Sequence, residues 1–176
     1  MVLCMNKMLK KALTAAAILG VLAGCASEED TIIMAPVPQV DSEFTPKSEW
    51  SASVGDGVSN YFSKLSPEYA YDKVFVASRE GIVKALSPEN GSTLWQQDLE
   101  QNVPARLSGG ITAGYSQIFI GSENGQVIAL SEETGEVNWR VDVEGEVLAA
   151  PATESNLVIV HTATGMLIAL DQATGD

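Results

Sequence analysis

The chain repeats itself with a step of about 44 residues, and that step restricts the possible folds more than any other feature. The run Val74-Phe75-Val76-Ala77-Ser78-Arg79-Glu80-Gly81-Ile82-Val83-Lys84-Ala85-Leu86 aligns with residues 118–130 and 158–170; Leu86 to Leu130 is 44 residues and Leu130 to Leu170 is 40. After each Ala-Leu comes a turn ending in glycine, at Gly91, Gly135 and Gly175, and four residues after the first two stands Trp95 or Trp139. Trp50 lies 45 residues before Trp95 and so falls on the same phase. A fixed period of this size marks an array of supersecondary units, none of which buries its own apolar surface alone.

Each unit carries β chemistry. Short Val-, Ile- and Phe-rich runs alternate with turn signals such as Glu123-Asn124-Gly125, which predicts strands near 106–113, 117–122, 126–130 and 137–143, the first the weakest. Four antiparallel strands in about 44 residues make a propeller blade. The runs Val74-Phe75-Val76-Ala77 and Gln126-Val127-Ile128-Ala129-Leu130 are apolar on both faces, as a sheet covered on both sides by neighbours must be. The fold expected is all-β: an incomplete β-propeller over residues 49–176, about three blades of a longer chain. Trp50-Ser51-Ala52-Ser53-Val54 occupies the phase of an outermost blade strand, with no inner strands before it. The last residues, Asp171-Gln172-Ala173-Thr174-Gly175-Asp176, stop inside a repeat, so the chain reads as an N-terminal fragment. On its own it should have open edges and exposed blade faces.

Residues 1–24 form an address. Lys7, Lys10 and Lys11 precede an apolar stretch from Ala12 to Gly24, too short for the ~20 residues of a spanning helix. Leu22-Ala23-Gly24-Cys25 then matches the bacterial lipobox. That resemblance implies cleavage after Gly24, acylation of Cys25 and, with no Asp at the second mature position, export to the inner leaflet of the outer membrane, facing the periplasm of a Gram-negative cell. The alternative is an incidental thiol beside ordinary cleavage. Three acyl chains would hold the protein on a membrane effectively permanently, at about 0.8 kcal/mol per buried methylene. Residues 25–48 read as a lipidated start and a flexible tether, rich in acid and proline, with a coil span of about 27 Å; the favoured reading gives that arm no role beyond length.

Charge narrows the partners. The chain has 10 Lys+Arg against 23 Asp+Glu, a formal net charge of -13, and losing the three leader lysines brings the mature value to -16. Nucleic acid is excluded as a partner, since phosphate binding needs a basic patch. Both cysteines, Cys4 and Cys25, lie in the first 25 residues, so the body holds no disulfide and no thiol nucleophile.

The string Ala-Leu-x-x-x-x-Gly-x-x-x-Trp, at residues 85–95 and 129–139, resembles the repeat of the quinoprotein-dehydrogenase-like eight-bladed propellers. The resemblance implies eight blades in the full protein and makes Trp50, Trp95 and Trp139 structural residues that dock adjacent blades. With the lipobox and tether, the chain resembles the lipoprotein family of the outer-membrane β-barrel assembly machinery. The quoted repeats, Phe44-Thr45-Pro46, Leu107-Ser108-Gly109-Gly110-Ile111-Thr112 and Leu157-Val158-Ile159-Val160-His161-Thr162 carry that likeness. It implies a non-enzymatic scaffold that binds the periplasmic repeats of the core barrel-forming subunit, with unfolded outer-membrane proteins as further partners. It assigns no partner-binding residue by position.

A quinone-cofactor dehydrogenase is the competing reading, since fold does not decide function. Such enzymes need a tryptophan floor, a vicinal cysteine pair, calcium-binding carboxylates and an Asp base. Here the tryptophans keep repeat phase, no cysteine pair exists, and Asp142, Asp171 and Asp176 show no convergent partner. No catalytic residue, cofactor or metal site is therefore expected. A generic ligand- or polysaccharide-binding periplasmic propeller is the third class. His161, the single histidine, replaces Ala77 and Gly121 of the other units and is expected to be packed and hydrogen-bonded. The acidic groups Glu132-Glu133 with Glu136, and Glu144 with Glu146, are expected to solvate turns, since neither has calcium-loop spacing. Arg79, Arg106 and Arg140 stand as candidate partner contacts in an acidic chain.

Overall fold

The computed structural model describes residues 35–36, 43–58, 60–61, 63–100 and 105–176. The leader, Gly24, Cys25 and most of the tether lie outside the described residues. Residues 46–176 form one compact unit. The described residues before it carry no helix or strand.

Among the described residues, eleven strands build three antiparallel sheets. The first sheet runs β1 (Glu68–Ala70), β2 (Lys73–Ala77), β3 (Ile82–Leu86) and β4 (Thr93–Asp98), in that spatial order. The second runs β5 (Leu107–Gly114), β6 (Gln117–Ser122), β7 (Gln126–Ser131) and β8 (Val137–Asp142). The third has β9 (Ala152–Glu154), β10 (Leu157–His161) and β11 (Leu167–Asp171), with β11 at its edge. The strands expected in the second unit fall within a residue of those observed.

The repeat extends to pairing register. Val74 faces Leu86, Ile118 faces Leu130 and Val158 faces Leu170. Ala85 faces Trp95 and Ala129 faces Trp139, and in both sheets the register shifts immediately afterwards, at Ala85/Leu86 and Ala129/Leu130. The first hairpin of each sheet closes on a two-residue turn with φ of 50–64° at both positions: Tyr71-Asp72, Tyr115-Ser116 and Ser155-Asn156. Such turns match the twist of paired strands, although only Asp72 and Asn156 are residue types that advertise one.

Two apolar layers separate the three sheets. The layer between the first and second holds Phe75, Val83, Ala85 and Leu99 against Ile111, Ile118, Ile120, Ile128 and Leu130. The layer between the second and third holds Phe119, Val127, Ala129, Trp139 and Val147 against Val158, Val160 and Leu170. Alternate residues of β6 and β7 thus enter different layers, which is why those strands are apolar on both faces. Five or more large side chains in each layer are fully buried, each worth roughly 1.5–3 kcal/mol of transfer free energy.

One expectation needs correcting. Residues 50–54, expected in the phase of an outermost strand with its inner strands absent, are in no strand among the described residues. The segment is nevertheless docked. Lys84 Nζ, on β3, donates to Ser53 O at 3.0 Å, and Gly55 lies against Ser78.

Candidate functional site: the contacts between sheets

The residues singled out by the repeat meet at the junctions between successive units. Trp50 Nε1 donates to Pro88 O at 2.8 Å, Trp95 Nε1 to Glu132 O at 3.0 Å, and Trp139 Nε1 to Gln172 O at 2.9 Å. Each acceptor lies in the Gly-containing turn of the next unit. That turn must end in glycine for two reasons. Gly91, Gly135 and Gly175 have φ of 71–79°, and a Cβ on them would fall 2.5–2.8 Å from Cε3 of Trp50, Trp95 and Trp139 respectively. The indole face therefore lies on bare backbone while its N–H is satisfied, the arrangement a half-buried tryptophan requires. The same rings lean on the core of their own sheet, with Phe75–Trp95 and Phe119–Trp139 centroids 5.9 and 5.8 Å apart.

A second series of contacts joins the first hairpins. Ser116 N–H donates to Tyr71 Oη at 3.0 Å, and Asn156 N–H donates to Tyr115 Oη at 2.9 Å. These tyrosines were not read from the sequence as junction residues. The signal was present, since Tyr71 and Tyr115 are 44 residues apart, but the third unit breaks it with Ser155.

The remaining polar links also recur, with changed chemistry. Lys73 Nζ lies 2.7 Å from Glu132 Oε2; at the corresponding positions one unit on, Gln117 Nε2 donates to Gln172 O at 2.9 Å and to Gln172 Oε1 at 3.0 Å. Asn138 Nδ2 in turn donates to Gln117 Oε1 at 2.8 Å. Arg79 makes a two-pronged pair with Glu123, Nε to Oε1 at 3.0 Å and Nη2 to Oε2 at 2.5 Å, and its guanidinium sits 3.8 Å from the ring centroid of Tyr61. The hydrogen bond that Arg79 donates to Glu123, together with the carboxylate's charge, raises the Arg79 pKa, against desolvation. A raised cation contributes stability fully below its unfolded pKa and loses it only as pH climbs through the folded value, so this pair is constant across neutral pH.

These placements alter several sequence expectations. Arg79 is paired with Glu123 and stacked on Tyr61. Arg140 donates to Gln126 Oε1 at 3.1 Å, and Arg106 is exposed. His161 is neither packed nor shown in a hydrogen bond: it is exposed at the end of β10. The physical reason is its surroundings. At the equivalent Gly121, a Cβ would meet Val147 Cγ1 at 2.3 Å, whereas among the described residues no sheet packs on that side of the third. Glu132 serves a junction twice, through its carboxylate and its carbonyl, while Glu133 and Glu144 are exposed. Asp171 Oδ1 accepts from the amides of Ala173 and Thr174 and so shapes its turn, and Asp142 accepts from Gln126. Among the described residues no group of three or more His, Cys, Asp or Glu converges as for a metal ion. A cleft of about 370 Å³ is lined by Ser63, Lys64, Ser108, Glu123, Glu146 and Leu148.

The chain resembles known proteins in sequence and in fold. The family model described as outer membrane protein assembly factor BamB matches residues 79–176, more than half of the chain. An outer membrane protein assembly factor BamB of Vibrio cholerae is 70% identical over 97% of this chain and 44% of its own length. That of Yersinia pestis is 40% identical over 88% of this chain and 42% of its own. The chain thus spans under half the length of these curated relatives. Among solved structures, BamB from Moraxella catarrhalis superposes with a TM-score of 0.57 at 31% identity, covering 64% of this chain and 34% of that one. A quinohemoprotein alcohol dehydrogenase from Pseudomonas putida gives a TM-score of 0.59 at 16% identity over 73% of this chain and 21% of its own, a likeness of fold alone. The sheets are therefore propeller blades, and the chain belongs to the BamB family of outer membrane protein assembly factors.

Proposed function

We propose that this chain forms part of a non-enzymatic scaffold for outer-membrane protein assembly, held at the inner leaflet of the outer membrane by acyl groups on Cys25 and facing the periplasm. The observation that carries this reading is the 70% identity to an outer membrane protein assembly factor over nearly the whole chain. The junction geometry supports the non-enzymatic part. The three tryptophans, the residue type that a quinone cofactor would need beneath it, each lay their ring on a glycine turn and spend their N–H on a carbonyl of the next blade. Trp50, Trp95 and Trp139 act as blade-docking residues, and the scaffold they hold presents loops to the periplasmic repeats of the core barrel-forming subunit and to unfolded outer-membrane proteins.

Affinity purification of the lipid-anchored chain from outer membranes tests this. Recovery of the barrel-forming subunit, lost when Cys25→Ala prevents anchoring, is the expected result; an anchored chain that recovers none of it overturns the reading. Incubation with pyrroloquinoline quinone and calcium tests the enzymatic alternative, and stoichiometric binding with dye reduction would establish that alternative instead.

A further inference from the structure

Each turn that receives a docking tryptophan is braced by one of its own side chains. Asn90 Oδ1 accepts from Ser92 N–H at 2.9 Å, whereas Thr134 Oγ1 accepts from Glu136 N–H and Thr174 Oγ1 from Asp176 N–H, both at 3.3 Å. The three positions are equivalent in the repeat, and only the first blade uses an amide for the task. An asparagine followed by glycine is chemically exposed, because no side chain on the glycine shields the backbone nitrogen that can attack the amide. Two such pairs occur, Asn90-Gly91 and Asn124-Gly125; both follow a glutamate, and both asparagines are exposed. Their glycines are held differently. Gly125 is buried, its carbonyl accepts from Val143 N–H at 2.6 Å, and a Cβ on it would fall 2.6 Å from Val143 O. Gly91 is half-buried between the exposed Asn90 and Ser92, and what it meets is the Trp50 ring. The N–H of Gly91 donates to Ser87 O at 2.9 Å and that of Gly125 to Ser122 O at 3.2 Å, so this bond does not separate the two pairs.

We infer that Asn90 is a deamidation site of the folded chain, reacting ahead of Asn124, and that its isoaspartyl product releases Trp50 from the first blade. Gly91 N attacks Asn90 Cγ; the new C–N bond closes a succinimide, the Cγ–Nδ2 bond breaks, and ammonia leaves with the proton from Gly91. Solvent water then opens the ring at either carbonyl, leaving aspartate or isoaspartate at position 90, and no other reagent is consumed. Ser92 N–H already points at Oδ1, the atom on which negative charge develops during attack, and so stabilises the tetrahedral intermediate. Closure also requires the glycine backbone to swing toward the amide. The turn at Gly91 can move on its solvent side, whereas Gly125 is tied at both N–H and carbonyl and packed against the 143–145 backbone. The consequence falls across the junction. Isoaspartate routes the main chain through Cβ, adding one methylene immediately before Gly91. There is no room for added bulk there, since a Cβ on Gly91 would fall 2.5 Å from Trp50 Cε3. Pro88 O, which accepts from Trp50 Nε1 at 2.8 Å, belongs to the same turn. Displacing the turn therefore loosens both contacts and leaves residues 50–55 to the bond from Lys84 to Ser53 O and the contact of Gly55 with Ser78.

The test is to age the full chain in mildly alkaline buffer, once folded and once unfolded in urea, and to map isoaspartate by peptide mass spectrometry and isoaspartyl methyltransferase labelling. In the folded chain conversion at Asn90 is expected to run several-fold faster than at Asn124, and in urea the two rates should be similar. No conversion at Asn90 in the folded chain, faster conversion at Asn124, or the same ratio of rates in both states overturns the site. Chymotryptic cleavage after Trp50 reads the release. It should be several-fold faster in the aged chain than in the fresh one, and unchanged by ageing in Asn90→Thr, which takes the side chain that braces the other two turns. Asn90→Asp carries the new charge without the extra methylene and should be cleaved like the fresh chain. Equal cleavage before and after conversion at position 90, acceleration by Asn90→Asp alone, or acceleration on ageing Asn90→Thr overturns the release. Neither readout involves the barrel-forming subunit, so failure here leaves the proposed scaffold role standing.

Discussion

The second and third blades have the same repeat and different environments. All six residues of β6 are buried, and four of six in β7. In the third blade β10 alternates buried and open positions, and β11 buries only Leu170 fully. Pairing register is the same in both. A blade's hydrogen-bonded frame is therefore set within its own unit, whereas its stability depends on being covered from both sides. Position 121/161 shows this most sharply: Gly121 is compressed by Val147, and at the uncovered equivalent the chain carries the much larger His161.

Substitutions at matched positions break this comparison most strongly in the core. Phe119→Ala, removing a fully buried ring between the second and third blades, should cost about 3–5 kcal/mol in urea unfolding, and Ile159→Ala at the half-covered equivalent about 1 kcal/mol. Equal costs would show that the third blade is covered in solution. Next comes Gly121→Ala, expected to cost about 1–3 kcal/mol through overpacking against Val147, while His161→Ala stays within about 0.5 kcal/mol. Comparison of their thermal midpoints checks this pair. Smaller are the junction hydrogen bonds. Trp139→Phe and Tyr115→Phe should each cost about 0.5–1.5 kcal/mol, with amide exchange at Asn156 accelerated only in the second. The smallest effect is expected from Arg79→Lys, about 0.2–1 kcal/mol and weakened by salt, since lysine forms one prong where arginine forms two. A loss unaffected by ionic strength would show that the stacking on Tyr61, not the ion pair, holds Arg79.

Much of the fold was legible because propeller blades are local. Antiparallel neighbours within one unit need only short turns, so the period, the two-faced apolar runs and the Gly-Trp spacing could all be read from nearby residues. The first-hairpin turns were less visible, because Tyr71-Asp72 and Tyr115-Ser116 adopt positive φ without glycine or asparagine. The candidate site was legible only in its tryptophans. The partners of Arg79, Tyr71 and Gln117 lie 44, 45 and 55 residues away in the chain, and no local pattern announces which carboxylate, amide or carbonyl will be opposite.

By itself the sequence determined the unit: its four-strand grammar, its two-faced apolar runs, and a turn glycine at fixed spacing before the tryptophan. These follow from side-chain alternation and from φ, which are properties of neighbouring residues. Only the tertiary structure decided which faces are covered, that residues 50–54 dock without pairing, that Arg79 is held by Glu123 and Tyr61, and that His161 is open to solvent. Those outcomes depend on what stands across a gap of one blade, and burial is a property of the neighbour as much as of the residue.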